Sequence, residues 1–175
     1  MSLAKRLEAL YRDQRQRLFA CALAVLGEAD AAEDAVHAAF ERLLARDVRP
    51  ENLTSYAFRT VRNCAHDIAR RNAAAARIAR RSGGAEIKDG GPAALEQEET
   101  RRQLTDGLAQ IDPLRREIIE LHLRADLKFR EIAETLDLPL GTVTSHYRRG
   151  LEQLRTLLIE DQAQEGHEQS RTTHP

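Results

Sequence analysis

Apolar residues recur along this chain at the three- and four-residue spacing of helices, and no stretch alternates as a strand would. Leu3, Leu7, Leu10, Leu18, Cys21 and Val25 share one face of a first helix, interrupted by Gln14, and Gly27 stands where a helix ends. Asp30 is placed to cap a second helix, with Glu33 in the reciprocal third position. Ala32, Ala35, Val36, Ala39, Phe40, Leu43 and Leu44 form its buried stripe. Asp47, Pro50 and Asn52 mark a loop, after which Thr54 or Ser55 can cap a long third helix that turns Ala57, Val61, Cys64 and Ile68 inward. The following RSGGAEIKDGGPAA has paired glycines twice, a proline and no apolar period, which predicts a flexible linker.

Beyond the linker, Leu95, Leu104, Leu108 and Ile111 predict a helix over 96–110, and Asp112-Pro113 opens another that buries Leu114, Ile118 and Leu121. Phe129, Ile132, Ala133 and Leu136 then fall on one helical face, Asp137 to Gly141 breaks the period, and Val143, Tyr147, Leu151, Leu154 and Leu158 resume it. Two short helices joined by a tight turn form a helix-turn-helix, the shape that presents a helix to the DNA major groove. The expected fold is all-α, with two small helical domains: residues 1–78, a flexible linker 79–95, a helix-turn-helix domain 96–160 and a polar, disordered tail 161–175.

Composition sharpens this reading. Aromatics are only 4% of the 175 residues, which suits helices over sheets. The formal net charge of -1 averages over strong segregation. From Arg59 to Arg81 seven arginines face one acid, Asp67, while Glu28 to Glu41 holds five acids and no Lys or Arg. Two cysteines are too few for a disulfide framework and sit in apolar helical periods, which suggests a reducing cytoplasm. The longest apolar run, Leu18 to Leu26, is too short to span a bilayer, and the amino end lacks the apolar centre of a signal peptide. A soluble, cytoplasmic chain is expected.

The polar faces carry the candidate chemistry. The second helix exposes Glu33, Asp34, His37 and Glu41, a surface suited to a basic partner or simply a solvated face. On the third, Arg59, Arg62, Asn63, His66 and Arg70 lie at i, i+3, i+4, i+7 and i+11, one almost wholly cationic stripe. The last helix turns Ser145, Arg148, Arg149 and Glu152 outward, where arginine supplies the paired donors that base edges and phosphates accept. An enzyme is not supported. His66-Asp67 is a metal-binding pair only with further spaced ligands, which are missing, and adjacent helical residues point about 100° apart. No glycine-rich phosphate loop or nucleophile elbow is present.

Three segments in combination resemble the extracytoplasmic-function group of the bacterial sigma-70 family of RNA polymerase sigma factors: DAAEDAVHAAFERLL (30–44), SYAFRTVRNCAHDIARR (55–71) and GTVTSHYRRGLEQLR (141–155). The resemblance spans Leu7 to Leu158 and implies a region 2 helical bundle followed by a region 4 helix-turn-helix. It implies that Glu33, Asp34, His37 and Glu41 meet core RNA polymerase. Arg59, Arg62, Asn63, His66, Arg70 and Arg71 would hold the melted minus-ten strand, with Arg49 and Asn52 in the loop that reads a flipped base. Thr142, Thr144, Ser145, His146, Arg148 and Arg149 would read the minus-thirty-five duplex. His37 stands where the family usually has Gln, Tyr56 replaces a common Trp, Thr144 a frequent Lys and His146 a frequent Arg. The implied partners are core polymerase, promoter DNA and, as a candidate, an anti-sigma protein, with no cofactor, metal or membrane. Two other readings stay open: a stand-alone dimeric helix-turn-helix regulator, and a sigma-like protein that only docks on a partner.

Overall fold

In the computed structural model, which describes residues 2–46, 50–81 and 110–171, backbone chemistry at the chain's breakpoints sets where each helix begins. The expectations for Arg49, for the linker beyond Arg81 and for a helix over 96–109 lie outside those residues. Among the described residues there are six helices and no strand. The first, α1 (Leu3–Leu26), starts where the Ser2 hydroxyl accepts the Lys5 N–H at 3.4 Å and stops at Gly27. Gly27 has φ +70 and donates its N–H to the Leu23 carbonyl at 2.8 Å, a left-handed turn that a residue without Cβ adopts freely.

That turn leads directly into α2 (Ala29–Ala45), so the helix begins before Asp30 can cap it. Glu28 occupies the cap position through its backbone, and Asp30 lies in the first turn, where its charge still favours the helix dipole. The third helix, α3 (Leu53–Arg81), is capped by Asn52, whose Oδ1 accepts the Ser55 N–H at 3.2 Å, rather than by Thr54 or Ser55. It runs on to Arg81, into the segment read as linker, because Ala73–Ala76 and the arginines after them are strong helix formers.

Leu7, Leu18, Cys21, Val36, Phe58 and Val61 are all but sealed from water between α1, α2 and α3. Each large apolar side chain so buried contributes about 1.5–3 kcal/mol. Leu43 takes the inner position at the end of α2. Its neighbour Leu44, expected in the stripe, is 56% exposed, because the 3.6-residue repeat carries only one of two adjacent leucines inward. Both cysteines are buried and neither is in a disulfide, and burial pushes the Cys64 thiol above its ordinary pKa.

In the carboxyl half, Asp112 caps α4 (Pro113–Leu123) by accepting the Arg115 N–H at 3.2 Å, as the Asp-Pro pair predicts. The pair α5 (Phe129–Leu136) and α6 (Leu140–Arg171) is joined by Asp137 in the left-handed region at φ 58. The Pro139 carbonyl accepts the Thr142 and Val143 N–H groups at 2.9 and 3.2 Å, so α6 starts at Leu140, ahead of Gly141. Among the described side chains its buried positions are Val143 and Gly150, whereas Leu151, expected inward, is 37% exposed. A Cβ on Gly150 would stand 2.8 Å from Ile119 Cδ1 and 3.2 Å from Arg115 Cβ. This close helix crossing is why a glycine that costs about 1 kcal/mol in a helix sits there, and why α6 is rotated so that Leu151 faces out. The helix persists to Arg171 where a disordered tail from 161 was expected, since the Ala, Gln and Glu residues of that stretch favour helix despite their lack of apolar period.

By packing, the described chain forms two compact units. One comprises α1, α2 and α3 with Glu120–Val143; the other comprises the start of α4 with α6 from Thr144 onward. No described helix is long and apolar enough to cross a membrane.

Candidate nucleic-acid and polymerase interfaces

The acidic surface follows from the burial of its opposite side. With Ala32, Ala35, Val36, Ala39 and Leu43 inward, α2 exposes all four candidates, Glu33, Asp34, His37 and Glu41. Tyr11 of α1 packs edge-on against Phe40, ring centroids 5.1 Å apart, and fixes the helix about its axis. Glu33 and His37 border a cleft of about 980 Å³ that also takes in Arg12, Arg15 and Arg124. Sequence spacing within α2 does not show this neighbouring positive charge. Asp34 and Glu41 are the carboxylates set apart from it.

The cationic stripe of α3 becomes one wall of a groove of about 650 Å³. Arg59, Arg62, Asn63, His66 and Arg70 line it, as their shared face predicts, and Arg42, Arg46 and Tyr56 join them. Arg42 and Arg46 were missed by the sequence analysis. Their four-residue spacing at the end of α2 was the available signal, but only the packing of α2 on α3 shows that they face the same space. Asp67, the lone acid there, binds Arg42 at 3.2 Å across the two helices and also binds Arg70. Hydrogen bonds from Arg70 and then Arg42 hold its carboxyl below the ordinary Asp range, so it is ionised at neutral pH and fixes both guanidinium groups. Arg71 points its Nε to the Asp67 carbonyl at 3.3 Å. A trough with several guanidinium groups, an amide and one aromatic ring offers a single strand its phosphate contacts and a stacking surface.

Asn52 and Arg59 are engaged with the helix-turn-helix. Asn52 Nδ2 donates to Glu134 Oε2 at 2.8 Å, and Arg59 donates to the Glu134 carbonyl at 2.6 Å and to Asp137 Oδ1 at 3.2 Å. A second tie, invisible to periodicity, is Arg17. Its guanidinium lies 5.5 Å over the Phe58 ring and donates to the carbonyls of Ala125 and Asp126 and to the Glu131 carboxylate at 2.8–3.0 Å. Glu131 in turn accepts the Lys128 N–H at 2.7 Å at the start of α5.

On α6, Thr144, Arg148 and Arg149 are exposed, while Thr142 and Ser145 are half-buried. His146 is also half-buried, and its Nδ1 is sealed from water with no hydrogen-bond partner among the described residues. It falls four residues before buried Gly150, on the packed side of the helix. Among the described residues no cluster of three or more His, Cys, Asp or Glu side chains is placed to hold a metal.

Residues 10–75 match the family model for sigma-70 region 2, and residues 101–154 match that for sigma-70 region 4. Solved structures with the same fold include a co-crystal structure of the sigma factor RpoE in complex with the anti-sigma factor NepR from Bartonella quintana. It is 21% identical, with a TM-score of 0.60 over 89% of this chain and 96% of that one. Among curated proteins no sequence match is found. With two regions of one family in their natural order over more than half of its 175 residues, the chain belongs to the sigma-70 family, whose non-catalytic members direct RNA polymerase to promoters.

Proposed function

We propose that this sigma factor is of the extracytoplasmic-function type and works in the cytoplasm without chemistry of its own. Core polymerase binds the α2 face through Glu33, Asp34, His37 and Glu41, with Asp34 foremost. The melted minus-ten strand lies in the α2–α3 groove against Arg59, Arg62, Asn63, His66 and Arg70, with Arg71, Asn52 and Arg49 flanking it. Thr142, Thr144, Ser145, Arg148 and Arg149 of α6 read the minus-thirty-five duplex, with His146 in a supporting position. The functional division is 1–78, 79–95, 96–160 and a tail 161–175. It is supported by the region matches at 10–75 and 101–154.

The observation that carries this reading is the groove, where two helices of the region 2 match join five arginines around an aromatic ring beside a separate acidic face. A stand-alone duplex-binding regulator has no use for either feature. Tethering two modest binding modules raises their effective concentration on one promoter, so neither needs high affinity alone. Because the similar RpoE structure holds an anti-sigma factor, a protein of that kind is the third partner we assign. Run-off transcription with purified core polymerase tests the whole proposal. Promoter-dependent transcripts are expected, with co-elution on core weakened by Asp34→Ala and promoter binding weakened by Arg149→Ala. Unchanged co-elution of Asp34→Ala removes the α2 face from the proposal.

A further inference from the structure

Among the described residues Asp67 is the one acid lining the α2–α3 groove. A carboxylate facing a polyanion repels it, so its place there needs a physical reason. Its two oxygens are divided between two helices: Oδ2 accepts from Arg42 of α2 at 3.2 Å, and Oδ1 accepts from Arg70 of α3. Its main-chain carbonyl accepts the Arg71 Nε–H at 3.3 Å, which ties the same residue down from the next turn. Each carboxylate-bound guanidinium spends part of its donor fork on Asp67 and keeps the rest, and both arginine side chains are open to solvent.

We propose that Arg42 is a strand contact supplied by α2, and that Asp67 is the positioning residue that sets Arg42 and Arg70 as a two-helix clamp for one backbone phosphate. This rests on the reading of the groove as the strand holder. Two guanidinium charges less one carboxylate leave the triad at +1, matched to a single phosphodiester. A phosphate seated on the solvent side of the pair alternates the signs, so that each guanidinium donates to Asp67 at one edge and to the strand at the other. Without the carboxylate the two arginines repel each other, and both long side chains have to be ordered at the moment of binding. A negative charge thus promotes capture of a polyanion, the opposite of what its sign alone predicts.

The test uses the full chain assembled with purified core RNA polymerase, with core alone as the blank. It reads the fluorescence anisotropy of a labelled single-stranded oligonucleotide at several salt concentrations. Arg42→Ala is expected to weaken binding and to lower the slope against log salt by about 0.7, one phosphate contact on a single strand. Asp67→Asn makes the groove more positive, yet is expected to weaken binding about two- to fivefold. In an Arg42→Ala/Arg70→Ala chain the same Asp67→Asn change has nothing left to position and leaves binding equal or tighter, whereas a merely structural role would weaken it in both backgrounds. Tighter or unchanged binding of Asp67→Asn in the otherwise native chain, an unchanged slope in Arg42→Ala, or a loss of the same size in both backgrounds overturns the clamp. Arg62→Ala, outside the triad, separates the two readings. If it weakens binding while Arg42→Ala and Asp67→Asn do not, only the clamp fails; if none of the variants weakens binding, the strand-holding groove fails and the clamp with it.

Discussion

The α2–α3 groove and the outer face of α6, the two nucleic-acid surfaces proposed above, both present arginines, but packing acts on them in opposite directions. In the groove it adds: Arg42 and Arg46 arrive from a helix otherwise known for its acids, and Asp67 ties Arg42 and Arg70 in place. On α6 it subtracts: the tight crossing at Gly150 turns His146 toward the interior and leaves Thr144, Arg148 and Arg149 to face outward. A one-helix reader is legible from its own period and vulnerable to its rotation, whereas a two-helix trough is hidden from any single period and buffered by its ion pairs.

The largest expected effect lies in the amino-terminal bundle that carries the groove. Arg17→Ala removes hydrogen bonds to two carbonyls and a carboxylate and uncovers Phe58, and should lower stability by about 1–3 kcal/mol in thermal or urea unfolding. Gly150→Val attacks the other side. Forcing a branched side chain against Ile119 should cost about 1–2 kcal/mol of stability, the overpacking penalty exceeding the gain in helix propensity. It should also weaken duplex binding while leaving binding of a single-stranded oligonucleotide unchanged. A loss of both kinds of binding would refute the independence of the two sites.

A smaller pair of changes sharpens the subtraction. Thr144→Lys should steepen the dependence of promoter binding on log salt by about 0.9, one added phosphate contact. His146→Arg should add less, because its side chain starts on the packed face. Equal slopes from filter binding at several salt concentrations would show that α6 does not discriminate the two positions. The smallest effect concerns Asp67. Its folded pKa lies below the ordinary value of about 3.9, so its contribution is present above that value and is lost as pH falls through the lowered one. The stability difference between the wild-type chain and Asp67→Asn should therefore be constant near neutrality and close only below about pH 4, as acid titration followed by circular dichroism would register.

Much of this was legible because local rules were enough. The exposed set on α2, the cationic stripe on α3, the stop at Gly27 and the Asp112 cap each depend on residues within a few turns. What stayed hidden depended on distant neighbours. Arg17 meets its carbonyl partners more than a hundred residues away, and Asn52, read as a base-reading loop residue, is the actual cap of α3 and a partner of Glu134. Leu44 and Leu151 were placed inward by a spacing that fits equally well one residue to either side.

Cys64, sealed beneath the groove with its proton held by desolvation, gives the protein a built-in clock. Only the thiolate attacks alkylating or oxidising reagents, so the side chain is inert while α2 and α3 stay together and becomes reactive as they part. The rate at which a maleimide consumes it therefore counts openings of the amino-terminal bundle, and a ligand that clamps the two helices should slow that count in proportion to its occupancy.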